Sequence, residues 1–187
     1  MTGSPLPNSI KPILKWAGGK RWLLPRLLEL WQLNRQSRLV EPFMGSLSVA
    51  LGLQPDRALL NDANIHLANF YHHLQQGLSV TIAGAAAREP EVSSGIERDK
   101  TDGKPFEMKN DRDFYYEMRA RFNQLTREGQ SQTSEAALIF YYLNRTAFNG
   151  LCRFNNSGGF NVPFGRYKTI NYATDFSAYQ IPLQPWE

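Results

Sequence analysis

The sequence predicts an α/β fold built on a parallel sheet. Two short apolar runs, at 39–40 and 58–60, end in turn-forming or acidic residues, and a segment with helical spacing follows each of them. Strand, helix, strand and helix in this order are typical of parallel α/β sheets. The 187 residues suffice for one domain, and a hydrophobic content of 42% suits a globular chain with a core.

The first predicted helix covers 22–33, where leucines recur at helical spacing. Proline is tolerated only in the first turn of a helix, so we expect the helix to begin close to Pro25. The first strand, at 39–40, runs into Glu41 and then a proline and glycine turn.

Residues 46–53 predict a short helix, and the second strand at 58–60 is closed by Asn61 and Asp62. A longer helix over 64–76 carries an apolar stripe, and Gly77 ends it.

Two further helices are predicted in the second half, at 111–125 and 134–146. Asn110 or Asp111 is expected to cap the first of them, and Ser134 the second, because short polar side chains satisfy the free N–H groups of a first turn.

Two stretches lack periodicity. Residues 88–110 are polar, charged and rich in turn formers, which predicts an exposed loop or a flexible insert. After Thr146, asparagine and glycine replace the helical pattern, and Ser157, Gly158 and Gly159 lie where a hairpin turn would lie.

The composition narrows the class of protein. No apolar run approaches the roughly 18 residues of a membrane span, and the N-terminus lacks the apolar core of a secretory signal. Cys152 is the only cysteine, so no intrachain disulfide forms. We therefore expect a cytoplasmic protein.

Charge is unevenly distributed along the chain. Residues 1–40 hold seven basic residues and one acidic residue, whereas 136–174 hold four basic residues and no acid. Between them, 41–135 carries 14 acidic and 10 basic residues. The basic blocks are either solvated surface or two parts of a polyanion-binding surface.

The segment KWAGGK at 15–20 is not a phosphate-binding P-loop, which would need glycine in place of Leu14 and serine or threonine in place of Arg21. Its glycine pair lets backbone approach a ligand, and Trp16 and Lys20 add a ring and a cation. The alternative is an ordinary turn.

Two acids follow the predicted strands directly. Glu41 and Asp62 would lie at the carboxyl ends of successive strands, where open α/β sheets bind ligands, and an acid there can accept hydrogen bonds from ribose. Together they indicate a nucleoside-bearing ligand.

The histidines and the cysteine offer weaker signals. His66, His72 and His73 share one predicted helix without further ligands for a metal ion, which favours structural or surface roles and no metal site. Cys152 has no nearby histidine to activate it, so we interpret it as a small apolar residue.

The basic block from 144 to 168 has residue types that suit DNA. Phosphates or guanine edges are suitable partners for four cations, Arg145, Arg153, Arg166 and Lys168. Asn149 can pair with adenine. The block also holds Phe148, Phe154, Phe160 and Phe164, which either wedge between bases or pack a core. An ordinary basic hairpin is the alternative.

Four segments follow one another along the chain: KWAGGK, EPFMGS, LLND and NRTAFNGLCRFNNSGGFNVPFGRYK. These segments occur in the same order in Dam-like DNA adenine methyltransferases, and nearly the whole chain resembles that family. The resemblance implies an α/β fold that is an incomplete Rossmann-like domain and uses S-adenosylmethionine. It also implies a helical and hairpin subdomain that recognises double-stranded DNA, and GATC as the target. The cofactor site implied by the resemblance consists of Trp16, Lys20, Glu41, Phe43, Gly45 and Asp62. Family members contact or intercalate DNA at the positions of Lys15, Phe148, Asn149, Leu151, Arg153 and Pro163.

The chain departs from this family in two places. The glycine-rich turn reads Gly45-Ser46-Leu47 where a second glycine is common, and no Asp-Pro-Pro-Tyr motif follows the recognition region. That motif supplies acceptors for the adenine amine and stacks on the flipped base. We therefore expect no catalytic residues here and an N-terminal portion that is inactive alone. The alternatives are a non-catalytic DNA-binding module and one half of a split enzyme whose second chain carries the motif.

The expected organisation has four parts. Residues 1–87 would form the cofactor-binding half of the methyltransferase domain, and 88–110 an exposed loop. Residues 111–174 would form the target-recognition region, and 175–187 the start of a return to the catalytic domain.

Overall fold

The computed structural model describes residues 10–78, 106, 108–173, 176–183 and 185–187. Its elements are α1 Leu24–Gln32, β1 Leu39–Glu41, α2 Ala50–Leu53, β2 Ala58–Leu60, α3 Ile65–Gln75, α4 Arg112–Arg127, α5 Ser134–Thr146 and α6 Ser177–Leu183. Single 3-10 turns occupy Arg21–Leu23 and Phe148–Gly150. The predicted helices and strands are confirmed in type and order, whereas most of the predicted loop at 88–110 lies outside the described residues. Across the described ranges, each helix is too short or too polar to cross a membrane.

The sheet is small and parallel, as predicted. β1 and β2 pair in register, with Leu39 opposite Ala58 and Glu41 opposite Leu60. On the other side of β2, Glu187 continues the pairing: its N–H donates to Ala58 O at 2.9 Å, and its carbonyl accepts from Leu60 N at 2.7 Å. The carboxyl ends of β1 and β2 therefore lie side by side.

Side-chain caps fix where the helices begin. Asn64 Oδ1 accepts hydrogen bonds from the first turn of α3, and Asp111 caps α4 through Phe114 N at 2.8 Å. The predicted cap of α5 is wrong by one residue. Thr133, not Ser134, has the extended backbone of a cap, and its hydroxyl accepts from Ala136 N at 3.2 Å.

The core lies around α5. Tyr141, Tyr142 and Leu143 have no exposed surface, because α3 packs on one side of α5 and α4 on another. Phe70 of α3 stacks on Tyr141 with ring centroids 5.5 Å apart. Since α3 follows β2 directly, this packing places the strand ends near the segment that follows α5.

Candidate cofactor and DNA-recognition site

Asp62 joins the turns that follow the two strands. Its Oδ2 accepts a hydrogen bond from Gly45 N at 3.0 Å, and its Oδ1 accepts from Asn64 N at 3.0 Å. Met44 N donates to Asn61 O at 2.8 Å and adds a backbone link between the same turns. The two strand-end turns are thus held together by the Asp62 carboxylate and by a backbone hydrogen bond.

Trp16 lies against the first of these turns. Gly45 has a φ of +50°, and a Cβ added to it would lie 3.2 Å from Trp16 Cδ1 and 3.3 Å from Trp16 Nε1. Gly19 comes similarly close to the turn, since its Cβ would lie 3.6 Å from Ser48 Oγ. The 15–20 segment therefore lies over the turn after β1, and Gly45 makes the approach possible because it has no side chain.

Glu41 ends β1 inside this arrangement. Its Oε2 accepts a hydrogen bond from Ala50 N at 3.0 Å, at the beginning of α2. Burial raises the pKa of Glu41 to about 7, although the Ala50 N–H and the positive charge of Lys20 oppose the rise. The carboxyl group therefore titrates near neutral pH, with an exposed ammonium group close by.

An open cavity begins beside Asp62. It has a volume of about 410 Å³ and runs along the outer face of α3. Its lining consists of Asp62, Ile65, Ala68, Asn69, His72, His73 and Gln132. Phe43, on the turn after β1, is 84% exposed and offers a ring to solvent. Of the six predicted cofactor residues, only Asp62 lines this cavity, so the cavity reaches the end of β2 and does not extend to the turn after β1.

A hairpin formed by residues 153–161 makes up the second part of the candidate site. Phe154 pairs antiparallel with Phe160, and Asn155 N donates to Gly159 O at 2.9 Å. Asn155 Oδ1 closes the turn by accepting from Ser157 N at 3.1 Å and Gly159 N at 2.8 Å. The hairpin turn predicted at 157–159 is confirmed.

The hairpin has an inner and an outer face. Phe154 and Phe160 pack inward, where Phe160 meets Phe122 of α4 edge to face. Arg153 and Asn161 lie directly opposite each other on the other face, because side chains alternate along extended strands. The interior phenylalanines therefore pack the core, in agreement with one of the two alternatives that the sequence left open.

Most of the predicted DNA contacts are exposed. Phe148 is 47% exposed and Leu151 is 42% exposed, although both are apolar. Exposed side chains also occur at Asn149, Arg153, Pro163, Arg166 and Lys168. These residues lie between 148 and 168, on and beside the hairpin, and each has a side chain that a ligand could reach.

Lys15 and Arg145 differ from the exposed residues predicted to contact DNA, because contacts within the chain hold both of their side chains. Lys15 Nζ lies 4.2 Å from the centre of the Tyr167 ring, and its stem packs against Gly150. Arg145 Nε donates to Asn171 O at 2.6 Å, and burial lowers the pKa of Arg145. Both cations therefore hold parts of the 144–171 stretch in place.

Two asparagines connect the strand-end region to the segment that follows α5. Lys15 N donates to Asn144 Oδ1 at 2.8 Å, and Asn144 Nδ2 donates to Lys15 O at 2.7 Å. Asn64 Nδ2 lies 3.6 Å from Cys152 Sγ. No spacing in the sequence indicates these roles, because the partners of Asn144 and Asn64 are 129 and 88 residues away.

His66 and Cys152 fill the space between α3 and the hairpin. The His66 ring stacks on Phe154 with centroids 5.0 Å apart, and burial lowers the pKa of His66 to about 4. Burial also raises the pKa of Cys152 to about 11, so its sulfur is a thiol at neutral pH. The structural role predicted for both residues agrees with this packing.

Comparison with known proteins gives the family. Residues 16–180 match the family described as D12 class N6 adenine-specific DNA methyltransferase. A DNA adenine methylase of Haemophilus influenzae is 36% identical over 168 residues, which are 88% of this chain and 50% of the relative. One from Vibrio cholerae is 39% identical over 158 residues, 84% of this chain and 49% of the relative. The Type II methyltransferase M1.LlaDCHI of Lactococcus lactis is 32% identical over 160 residues, 86% of this chain and 49% of the relative.

The chain thus spans about half the length of the relatives it matches. The matched region contains both strand-end turns and the whole hairpin. The chain belongs to the D12 class of N6 adenine-specific DNA methyltransferases.

Proposed function

We propose that this chain supplies the cofactor-binding and target-recognition parts of an enzyme that methylates the exocyclic amine of adenine in duplex DNA. The methyl donor is S-adenosylmethionine, and GATC is the target to be tested first. The observation that carries the proposal is the Asp62 carboxylate, which joins the turns after β1 and β2 beneath Trp16 and beside an open cavity.

The residues at the strand ends fit this cofactor. Lys20 offers an exposed cation to a carboxylate, and Asp62 offers acceptors to hydroxyl groups at the edge of the cavity. The rings of Trp16 and Phe43 suit an adenine face, and Gly45 lets a ligand approach backbone. When bound, S-adenosylmethionine supplies the methyl group that is transferred. We propose that β1 and β2 belong to a Rossmann-like sheet of the whole enzyme.

DNA is the partner that the hairpin surface suits. Residues 136–174 carry four basic residues and no acid, and three of the cations, Arg153, Arg166 and Lys168, are exposed. Cations at these places attract phosphates, and arginine can also bind a guanine edge in the major groove. A role in DNA modification fits a cytoplasmic protein.

These 187 residues contain no Pro-Pro pair and hence no Asp-Pro-Pro-Tyr motif. Such a motif would provide the acceptors that activate the adenine amine. We therefore expect these residues to bind cofactor and DNA without transferring a methyl group. We expect transfer to appear when a second polypeptide carrying the motif is added. Incorporation of labelled methyl groups into a GATC duplex by this chain alone would contradict this division.

Calorimetric titration with S-adenosylmethionine tests the cofactor site. Asp62→Asn should weaken binding at least about tenfold, because one charged acceptor is lost from the strand ends. The control is Asp56→Ala, which removes an exposed acid outside the site and should leave the affinity unchanged. No heat of binding with the unsubstituted chain, or equal affinity in both variants, would overturn the assignment.

A further inference from the structure

Arg153 and Asn161 form a side-chain pair across the hairpin. Arg153 Nε donates to Asn161 Oδ1 at 2.8 Å, while Asn161 N donates to Arg153 O at 3.1 Å. We propose that Asn161 is a positioning residue that orients Arg153 to read a guanine. The proposal rests on the proposed function, since it needs the hairpin to meet duplex DNA.

The strand that carries Asn161 is held firmly on both sides of it. Asn123 Oδ1 accepts from Phe160 N at 2.7 Å, and Asn123 Nδ2 donates to Phe160 O at 3.1 Å. Val162 O accepts from Tyr115 Oη at 2.8 Å and from Arg119 Nη1 at 3.1 Å. Because α4 fixes the residues before and after Asn161, the Asn161 backbone is a rigid base from which its amide can orient Arg153.

The hydrogen bond leaves one edge of the guanidinium group for a ligand. An arginine can present either Nε with one Nη or both Nη atoms to a partner with two acceptors. Since Nε donates to Asn161, the pair of Nη atoms is the edge that remains for a ligand. That edge fits the O6 and N7 acceptors of guanine in the major groove.

The partner of Arg153 is a neutral amide, and this affects how the guanidinium group can interact with DNA. Asn161 orients Arg153 without neutralising it, and within the described residues no ion pair involves Arg153. A carboxylate at position 161 would also orient the guanidinium group, but it would repel phosphates and compete for the cation. Asparagine therefore gives order and retains the attraction for DNA.

The first measurement needs no DNA. Side-chain ¹⁵N relaxation at Arg153 Nε reports how strongly the guanidinium group is held. We expect a restrained Nε–H in the unsubstituted chain and in Asn156→Ala, and a mobile one in Asn161→Ala. Asn156 is the matched control because it is an exposed asparagine of the same hairpin. A mobile Arg153 Nε–H in the unsubstituted chain would overturn the proposal whether or not DNA is bound.

The second measurement compares two duplexes by fluorescence anisotropy, one with GATC and one in which a single G·C pair of the site is A·T. Immobilising a flexible side chain in advance is worth roughly two- to tenfold in affinity, so Asn161→Ala should reduce the preference for GATC by that factor. Asn156→Ala should keep the preference. Asn161→Asp should keep a restrained Nε–H and weaken binding to both duplexes.

The possible failures can be told apart. If the unsubstituted chain binds neither duplex, the proposed function fails, and the guanine-reading role fails with it. If it binds and Asn161→Ala weakens both duplexes equally, Asn161 contacts the DNA backbone and the positioning role is wrong. If the preference is unchanged, Asn161 has no role in reading the base.

Discussion

The buried side chain of Asn144 exchanges two hydrogen bonds with the backbone of Lys15, at 2.8 and 2.7 Å. Asn144 lies near the end of α5, at the start of the basic segment 144–168, and Lys15 directly precedes Trp16, which lies over Gly45. One amide group therefore fixes the distance between the candidate cofactor loop and the candidate DNA-binding segment.

Replacing this amide should loosen the whole site. We expect Asn144→Ala to lower the free energy of unfolding by about 1–3 kcal/mol, because it leaves the partly buried N–H and C=O groups of Lys15 without their partners. Asn144→Asp keeps the acceptor but loses the donor, so the C=O of Lys15 loses its partner. We therefore expect this variant to cost more than about 1 kcal/mol as well. Urea denaturation measures both. Loss of less than about 0.5 kcal/mol in Asn144→Ala would show that the exchange does not hold the loop.

Replacing Gly45 by alanine should lower the stability of the protein more than the same change at another glycine with positive φ. Gly45→Ala and Gly129→Ala both place a Cβ at positive φ, at +50° and +74°, but only Gly45 has the Trp16 ring within 4 Å. We expect a loss of about 1 kcal/mol at Gly129 from backbone strain, and about 1–3 kcal/mol more at Gly45 from crowding. Thermal or urea unfolding gives these values. Equal losses at the two positions would argue against a close contact between Trp16 and the turn.

Glu41 predicts a particular dependence of stability on pH. Its pKa rises from 4.5 in the unfolded chain to about 7 in the folded protein, so between these values the folded state binds more protons. The contribution of Glu41 to stability is therefore full below pH 4.5 and is lost as the pH rises towards about 7. We expect the stability difference between Glu41→Gln and the unsubstituted chain to shift in favour of the variant by about 1–3 kcal/mol across this window.

Urea denaturation at pH 5 and pH 8 checks this shift. Glu117→Gln, at an exposed position on α4, is the control and should show no such change between the two pH values. A difference that stays flat, or one that moves in favour of the unsubstituted chain as the pH rises, would contradict the burial of Glu41.

The sequence predicts the elements well, because local patterns determine them. The helix near Pro25, the parallel strands and the hairpin turn all follow from spacing and turn chemistry within a few residues. The error at the cap of α5 has a local cause too. Thr133 and Ser134 both offer a hydroxyl group, and only the backbone conformation shows which of them lies outside the helix.

The candidate site is harder to predict, because its contacts are long-range. Asp62 and Glu41 could be placed at strand ends, but the hydrogen bond from Gly45 to Asp62 depends on how the turns meet. Asn161 escaped prediction because its place opposite Arg153 depends on the register of the hairpin. The turn at 157–159 was the one available signal, since it sets that register once its length is known.

Binding of a fluorescent GATC duplex, measured by anisotropy at 50 and 200 mM salt, tests most directly whether the recognition segment meets DNA. If the chain contacts about four phosphates, the affinity should fall on the order of a hundredfold between the two salt concentrations. Lys168→Ala should reduce the slope against salt by about one, whereas Arg26→Ala, on α1, should leave it unchanged. Binding that is insensitive to salt, or no binding at 50 mM, would contradict a DNA-recognition role for this chain.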